Sequence, residues 1–192
     1  MKVLVVASDK GELKGLDDRF IKVVSGVGPI LAAVAASKSI ERERPDIVIS
    51  LGSAGAINPA LKLGCAYSFQ KIVCPDQNLT AMHLALGTTL GRNRATIGEV
   101  ETNERKSGLV LSSSGTFSTS LRREHAELRA DAADMEAYGV ALATMEERIP
   151  FYALKLITDY IGDGSTIGDI SFNLRLAREN LICLLEDVLQ GL

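Results

Sequence analysis

Between Asp134 and Asp163 the hydrophobic rhythm of the chain changes from helical to strand-like. Ala137, Val140, Ala141 and Met145 recur at three- and four-residue spacing after Met135, which predicts a helix. Ile149-Pro150 stops it, because the residue before a proline avoids the α region. Phe151 to Ile157 is mostly apolar, as expected of a strand covered on both faces. About thirteen helical residues span about 20 Å, and about seven strand residues span about 23 Å. The strand therefore retraces the helix and returns to the edge where the helix began. Glu136, near the helix start, and Asp159, just past the strand end, are expected to share one cleft.

The same reading extends along the chain. Val3–Val6 and Phe20–Val24 are predicted strands, followed by a helix from about Ile30 to Arg42. Pro29 suits that helix's first turn, where its missing N–H would be unpaired anyway, and Pro45 ends it. Asp46–Leu51 is a third strand, and Gly64–Val73 carries one or two more. Asp76–Gly91 is less regular and is expected as a loop over the site. Arg94–Val100 and Gly108–Leu111 are candidate strands around a turn at Asn103–Ser107, and Leu121–Leu128 is a short helix. Ile170–Leu189 is a closing helix with Leu174, Ala177, Leu181, Leu184, Leu185 and Val188 on its inner face. There is no repeat and no linker, so residues 1–192 are expected to form a single α/β domain with a mixed, largely parallel central sheet flanked by helices.

Five polar or glycine-rich stretches, beginning at Ala7, Ser25, Gly52, Ser112 and Thr158, each follow a predicted strand. In a mainly parallel sheet such ends lie along one edge, where open α/β folds bind ligands.

Composition narrows the classes of function. The 192 residues are 46% hydrophobic and 23% charged, ordinary for a globular protein with a sizeable core. A net charge of -3 argues against general nucleic-acid binding. No apolar run is long enough to cross a bilayer, and the N-terminus opens on a strand-like run without a signal-peptide pattern. Cys65, Cys74 and Cys183 show no CxxC spacing, which points to reduced thiols and a cytoplasmic protein. With only His83 and His125, a histidine-rich metal site is excluded, and neither histidine is assigned a role.

The candidate chemistry lies in the polar stretches. Gly26-x-Gly28 before a helix suits an anion cradled on backbone N–H groups, or a plain tight turn. It lacks the third glycine of a dinucleotide fingerprint. Gly52-Ser53-Ala54-Gly55 lets a backbone approach a flat ligand closely, or simply bends out of a strand. Asp159 is a candidate general acid if a half-apolar pocket raises its pKa; the plainer reading is a turn cap. Glu136 is suited to accept two sugar hydroxyls, or to complement the helix dipole. Glu12 is a candidate to orient a water or is an exposed loop charge. Phe117 and Met135 are either a base-stacking ring and a ribose contact or core side chains.

Taken together these stretches resemble the purine nucleoside phosphorylase and nucleosidase superfamily, and within it the 5′-methylthioadenosine/S-adenosylhomocysteine nucleosidases. The likeness runs in order through SGVGPILAA (25–33), SLGSAGAINPALKLG (50–64), SSGTF (113–117), DMEAYGVA (134–141) and IPFYALKLITDYIGD (149–163). Asp76–Ala81 is similar to the family's loop ending in Thr-Ala. The resemblance implies a nucleoside phosphorylase-like three-layer sandwich, no cofactor and no metal, and a homodimer. It assigns Asp159 to purine N7 with Thr158 in support, and Glu136 to the ribose hydroxyls with Met135 against the sugar. Phe117 falls to the base, Ser53, Ala54 and Gly55 to the loop beside base and sugar, and Glu12 to the attacking water. Three departures stand out: Lys155 where these nucleosidases carry an arginine, a short chain between Val6 and Phe20, and Tyr138-Gly139 in the helix after Glu136.

The leading expectation is a nucleosidase that hydrolyses the N-glycosidic bond of a purine nucleoside. The alternatives are a phosphorylase using phosphate, a futalosine-type hydrolase, and a nucleoside-binding protein without turnover. No arginine accompanies the Gly26 or Gly52 stretch, which favours water over phosphate. The expected partner is a small purine nucleoside, with no nucleic acid and no membrane.

Overall fold

Two long apolar strands form the middle of the molecule because both of their faces are covered. The computed structural model describes residues 1–91 and 95–192. The elements are β1 (Val3–Ala7), β2 (Ile21–Val24), α1 (Pro29–Glu43), β3 (Ile47–Ala56), β4 (Ala66–Phe69), β5 (Lys71–Val73), β6 (Thr89–Leu90), β7 (Thr96–Ile97), β8 (Val100–Glu101), β9 (Val110–Ser113), α2 (Arg123–Glu127), β10 (Ala132–Asp134), α3 (Ala137–Glu147), β11 (Phe151–Tyr160) and α4 (Ile167–Gln190). Successive strand residues point to opposite faces. Val48, Phe151 and Ala153 therefore join the core under α1 and α3, while Ile49, Tyr152 and Leu154 join the core under α4. The result is a three-layer α/β sandwich around a mixed, largely parallel sheet.

The predicted strand starting at Arg94 lies partly outside the described residues; beyond it, β7 and β8 are short and belong to different sheets. The third predicted strand does not stop at Leu51. β3 continues through the glycine-rich stretch to Ala56, because β11 pairs with it in parallel as far as Tyr160↔Ala56. Glycine favours a bend locally, and hydrogen bonding to a neighbour keeps it extended. β11 likewise continues past Ile157, so Asp159 lies inside the strand. α4 starts three residues earlier than predicted, at a capping box in which Thr166 and Asp169 exchange side-chain-to-backbone bonds.

The expectation that the five polar stretches lie along one edge is corrected for the one at Ser112, which follows a strand running opposite to the other four. β3 has β11 along one side, so β1 and β10 must share the other. β1 runs parallel to β3 and covers it at 47–50; β10 runs antiparallel and covers it at 55–56. Their carboxyl ends approach each other head to head, leaving Gly52-Ser53-Ala54 of β3 without a partner on that side. The cleft forms at this gap in mid-sheet. The stretch at Ser112 reaches it from the opposite direction, because β9 is parallel to β10.

The Tyr138-Gly139 departure in α3 also has a structural reason. At Gly139 a Cβ would lie 2.0 Å from the Pro29 carbonyl oxygen and 3.0 Å from the Ala33 nitrogen. α1 and α3 thus pack backbone to backbone, which only glycine permits. Tyr138 points the other way, its hydroxyl donating to Gln77 Oε1 at 3.1 Å. Gly139→Ala is expected to destabilise the fold by about 1–3 kcal/mol, the usual scale of overpacking. A thermal melt unchanged from wild type would contradict this packing.

Candidate active site

Gly28, the residue before α1, has a positive φ of 104° and directs its N–H at Glu136 Oε1, 2.9 Å away. The anion received by the Gly26-x-Gly28 turn is therefore a carboxylate of the chain itself. Glu136 stands at the N-terminus of α3, and Asp134 caps that end by accepting the Ala137 N–H at 3.0 Å. The same Asp134 oxygen, Oδ2, receives the Lys155 ammonium at 2.8 Å. Lys155 also donates to Ser50 Oγ at 3.2 Å. Asp134 Oδ1 is buried and has no partner among the described residues.

Glu12 completes this buried charge cluster. Its carboxylate accepts from Ser8 N and Oγ, both at 2.8 Å, and from Ser53 N and Oγ, at 2.8 and 3.1 Å. Gly52 makes room for it, since a Cβ there would lie 2.6 Å from Glu12 Oε1.

On the neighbouring strand, Asp159 owes its placement to a bulge. The β3–β11 register slips between Ile157 and Asp159, so Thr158 is the extra residue. Regular alternation would send Thr158 and Asp159 to opposite faces; the bulge lets both line one cleft. Thr158 Oγ1 donates to Asp159 Oδ1 at 2.9 Å. Gly55 is matched to Asp159 as Gly52 is to Glu12: a Cβ there would meet Asp159 Oδ2 at 2.9 Å. The glycines of this stretch admit the chain's own carboxylates, a reason different from either sequence reading.

These groups surround a cleft of about 230 Å³. Its wall includes Ser53, Ala54, Gly55, Phe117, Met135, Glu136, Thr158 and Asp159. Sequence reasoning had singled out all of these. Glu12 is the exception: it lies beneath Ser8 and Ser53, which line the cleft in its place. Sequence reasoning missed Asp134 as a site residue, although an aspartate three residues before a helical N–H is a legible cap signal. Missed too were Ser8, Ser118, Ile167 and Ile170, which carry no motif, and Val27 and Ile161, which lie in quoted motifs but were given no role; they meet only in the fold. The expected loop over the site, Asp76–Gly91, contributes none of the described lining; Asp76 instead contacts the segment carrying Phe117.

The charges follow from burial. Burial, then the nearby Asp134 carboxylate, pushes Glu136 up to about 7, against the pull of Lys155 and the Gly28 N–H. Burial also raises Asp159, while the Thr158 hydroxyl pulls it down. Burial opposes the charge on Lys155, but Asp134, Glu136 and Glu12 together hold its pKa above the ordinary lysine value. None of the described lining residues is cationic. Among the described residues no group of three or more histidines, cysteines or acids has the geometry to hold a metal ion.

A family model described as the phosphorylase superfamily matches residues 11–190. The chain belongs to the phosphorylase superfamily. Its fold is also that of several solved structures. The 5′-methylthioadenosine/S-adenosylhomocysteine nucleosidase of Helicobacter pylori, solved with butyl-thio-DADMe-Immucillin-A, is 18% identical with a TM-score of 0.84, over 100% of this chain and 98% of that one. The corresponding nucleosidase of Neisseria meningitidis, in complex with methylthio-immucillin-A, is 20% identical with a TM-score of 0.83, over 100% and 99%. Futalosine hydrolase of Helicobacter pylori strain 26695 is 19% identical with a TM-score of 0.83, over 100% and 98%. At such identities the likeness is one of fold.

The raised pKa of Glu136 has a consequence for stability. Below pH about 4.5 the group is protonated in both folded and unfolded chains. Between about 4.5 and 7 the unfolded chain releases the proton and the folded one keeps it, so stability falls as pH rises through that window. Glu136→Gln removes this loss. It is expected to melt on the order of 5 °C above wild type at pH 8, with the gap closing toward pH 4.5. Melting curves across that range, superimposable at pH 8, would refute the assignment.

Proposed function

We propose that the chain is a nucleosidase that hydrolyses the N-glycosidic bond of a purine nucleoside, such as 5′-methylthioadenosine or S-adenosylhomocysteine, and releases the free base. One observation carries this reading. The described lining of the cleft contains Asp134, Glu136 and Asp159 and no cationic side chain. Such a field favours a ribosyl group that gains positive charge and disfavours a phosphate dianion as nucleophile. It therefore supports water over phosphate. The nucleosidases of like fold, solved with butyl-thio-DADMe-Immucillin-A and methylthio-immucillin-A, support it.

In this mechanism Asp159, its carboxyl kept above the usual range by burial, delivers a proton to N7 of the purine. The C1′–N9 bond breaks with its electron pair going to the base. Glu136, ionised and steadied by the Gly28 N–H, holds the ribose hydroxyls while positive charge builds on the sugar. Thr158 orients Asp159, Met135 packs against the sugar and Phe117 lies on the base. Ser53, Ala54 and Gly55 form the β3 wall beside both. Water, positioned by Glu12, attacks C1′ and its proton passes to the Glu12 carboxylate; to do so Glu12 exchanges one of its bonds from Ser8 or Ser53. Val27, Ile161, Ile167 and Ile170 make the remaining wall apolar, which supports the uncharged 5′ methylthio group over the charged homocysteine group of the two substrates.

Purine release from 5′-methylthioadenosine should proceed equally with and without phosphate, and strict phosphate dependence would replace this reading with a phosphorylase. Preference for futalosine would move it to the futalosine-type hydrolases, and binding without multiple turnover to a nucleoside-binding protein. Asp159→Asn should retain ligand binding and lose about 10²-fold or more in turnover. Equal losses of both would mark Asp159 as structural.

We also assign the chain to the cytoplasm as a homodimer. Its three cysteines are free, and no helix among the described residues is long and apolar enough to cross a membrane. Exposed Ile30, Leu31 and Val34 on α1 continue the apolar edge begun by Val27 at the cleft. Light scattering should give twice the 20.5 kDa of one chain; the mass of a single chain at micromolar concentration would exclude the dimer.

A further inference from the structure

One carboxylate fastens both ends of the segment that carries Phe117. Asp76 Oδ2 accepts the Gly115 N–H at 2.7 Å, and Asp76 Oδ1 accepts from Arg122 Nη1 at 3.2 Å. Between Gly115 and Arg122 lie Thr116, Phe117 and Ser118, all of which line the cleft. Phe117 is 47% exposed, so packing alone does little to fix its ring. Asp76 is itself held from the other side of the site. The next residue, Gln77, accepts from the Tyr138 hydroxyl of α3, and its carbonyl accepts the Gly87 N–H at 2.8 Å. A line of contacts thus runs from α3, two residues past Glu136, through Gln77 and Asp76 to the aromatic segment.

We propose that Asp76 is a positioning residue that clamps both ends of the 115–122 segment and so sets Phe117 and its neighbours against the face of the bound purine. The proposal rests on the nucleosidase reading for its ligand. An ionised carboxylate suits the task because it offers an acceptor oxygen to each end at once, and both bonds gain from its charge. Asparagine keeps one acceptor oxygen and loses the attraction to Arg122. The Asp76–Arg122 pair is partly exposed, with side chains 35% and 27% accessible. Pairs so exposed contribute little to global stability. Its effect is therefore on local order and on base binding, with little effect on melting.

The test compares wild type with Asp76→Ala, Asp76→Asn, Arg122→Ala and the double alanine variant. It uses 5′-methylthioadenosine hydrolysis, thermal melting, and amide hydrogen exchange over residues 112–121. Misplacing one stacked aromatic should raise KM about tenfold in Asp76→Ala, with a smaller change in kcat. Exchange over 112–121 should speed up while the melting temperature barely moves. Asp76→Asn should fall between, and the double variant should be little worse than Asp76→Ala, because both changes release the same clamp. Unchanged KM and unchanged exchange in Asp76→Ala would overturn the proposal. So would losses that follow the melting temperature across the series. If Asp76→Ala does not fold, Arg122→Ala and Asp76→Asn decide by the same readouts. If wild type hydrolyses no nucleoside, the nucleosidase reading fails, and unaltered exchange over 112–121 in the variants is then the result that removes the clamp.

Discussion

Four ionisable side chains, Glu12, Asp134, Glu136 and Lys155, are buried together at the centre of the sheet. One ammonium cannot neutralise three carboxylates, and an unpaired charge in such a place is costly. The structure meets that cost in three separate ways. Lys155 pairs directly with Asp134. Glu12 is surrounded by two backbone N–H groups and two hydroxyls, which stabilise a carboxylate without a cation. Glu136 has one backbone N–H and a pKa raised to about 7, so near neutral pH it exchanges its proton readily. The one least compensated, Glu136, lines the cleft.

The sheet topology makes room for this cluster. A uniformly parallel sheet would bring its strand ends to one rim. Here β1 and β10 meet β3 from opposite directions and stop short of each other. The unpartnered stretch of β3 between them gives a cleft floor whose backbone N–H groups are available, and Glu12 takes one of them, from Ser53. Glycines at 52 and 55 let carboxylates lie against the strand where any side chain would collide. The bulge at Thr158 adds the last carboxylate from the far strand. Backbone irregularities at strands that are otherwise fully buried thus concentrate negative charge at one point.

That concentration constrains the chemistry. A site rich in carboxylates and free of cations in its described lining is suited to a neutral ligand that becomes cationic as it reacts. N-glycosidic cleavage is such a reaction, since positive charge collects on the sugar while the base accepts a proton. The lysine at position 155, where the resemblance leads one to expect arginine, is consistent with this arrangement. A compact ammonium satisfies Asp134 and Ser50 from within the core, where a planar guanidinium would spread its donors over more partners.

How much of this was legible in the sequence depends on the distance over which each feature is decided. The α3 helix and the β11 strand, with Glu136 and Asp159 at one cleft, follow from hydrophobic spacing and matching lengths, which are local properties of 30 residues. The order of motifs was enough to place the chain in its superfamily. The strand character of Gly52–Gly55 was not legible, because glycine prefers to bend and hydrogen bonding to β11, joined at Gly55 by β10, holds it straight. Nor was β10, three residues long and defined solely by its neighbours. The coupling of Asp134 to Lys155 joins positions on different strands and helices, and the proton on Glu136 depends on all of them at once. Sequence alone determined the main helices and strands and which residues can carry charge. Tertiary structure decided which of those charges are buried together, because burial and Coulomb forces act through space between segments the sequence holds far apart.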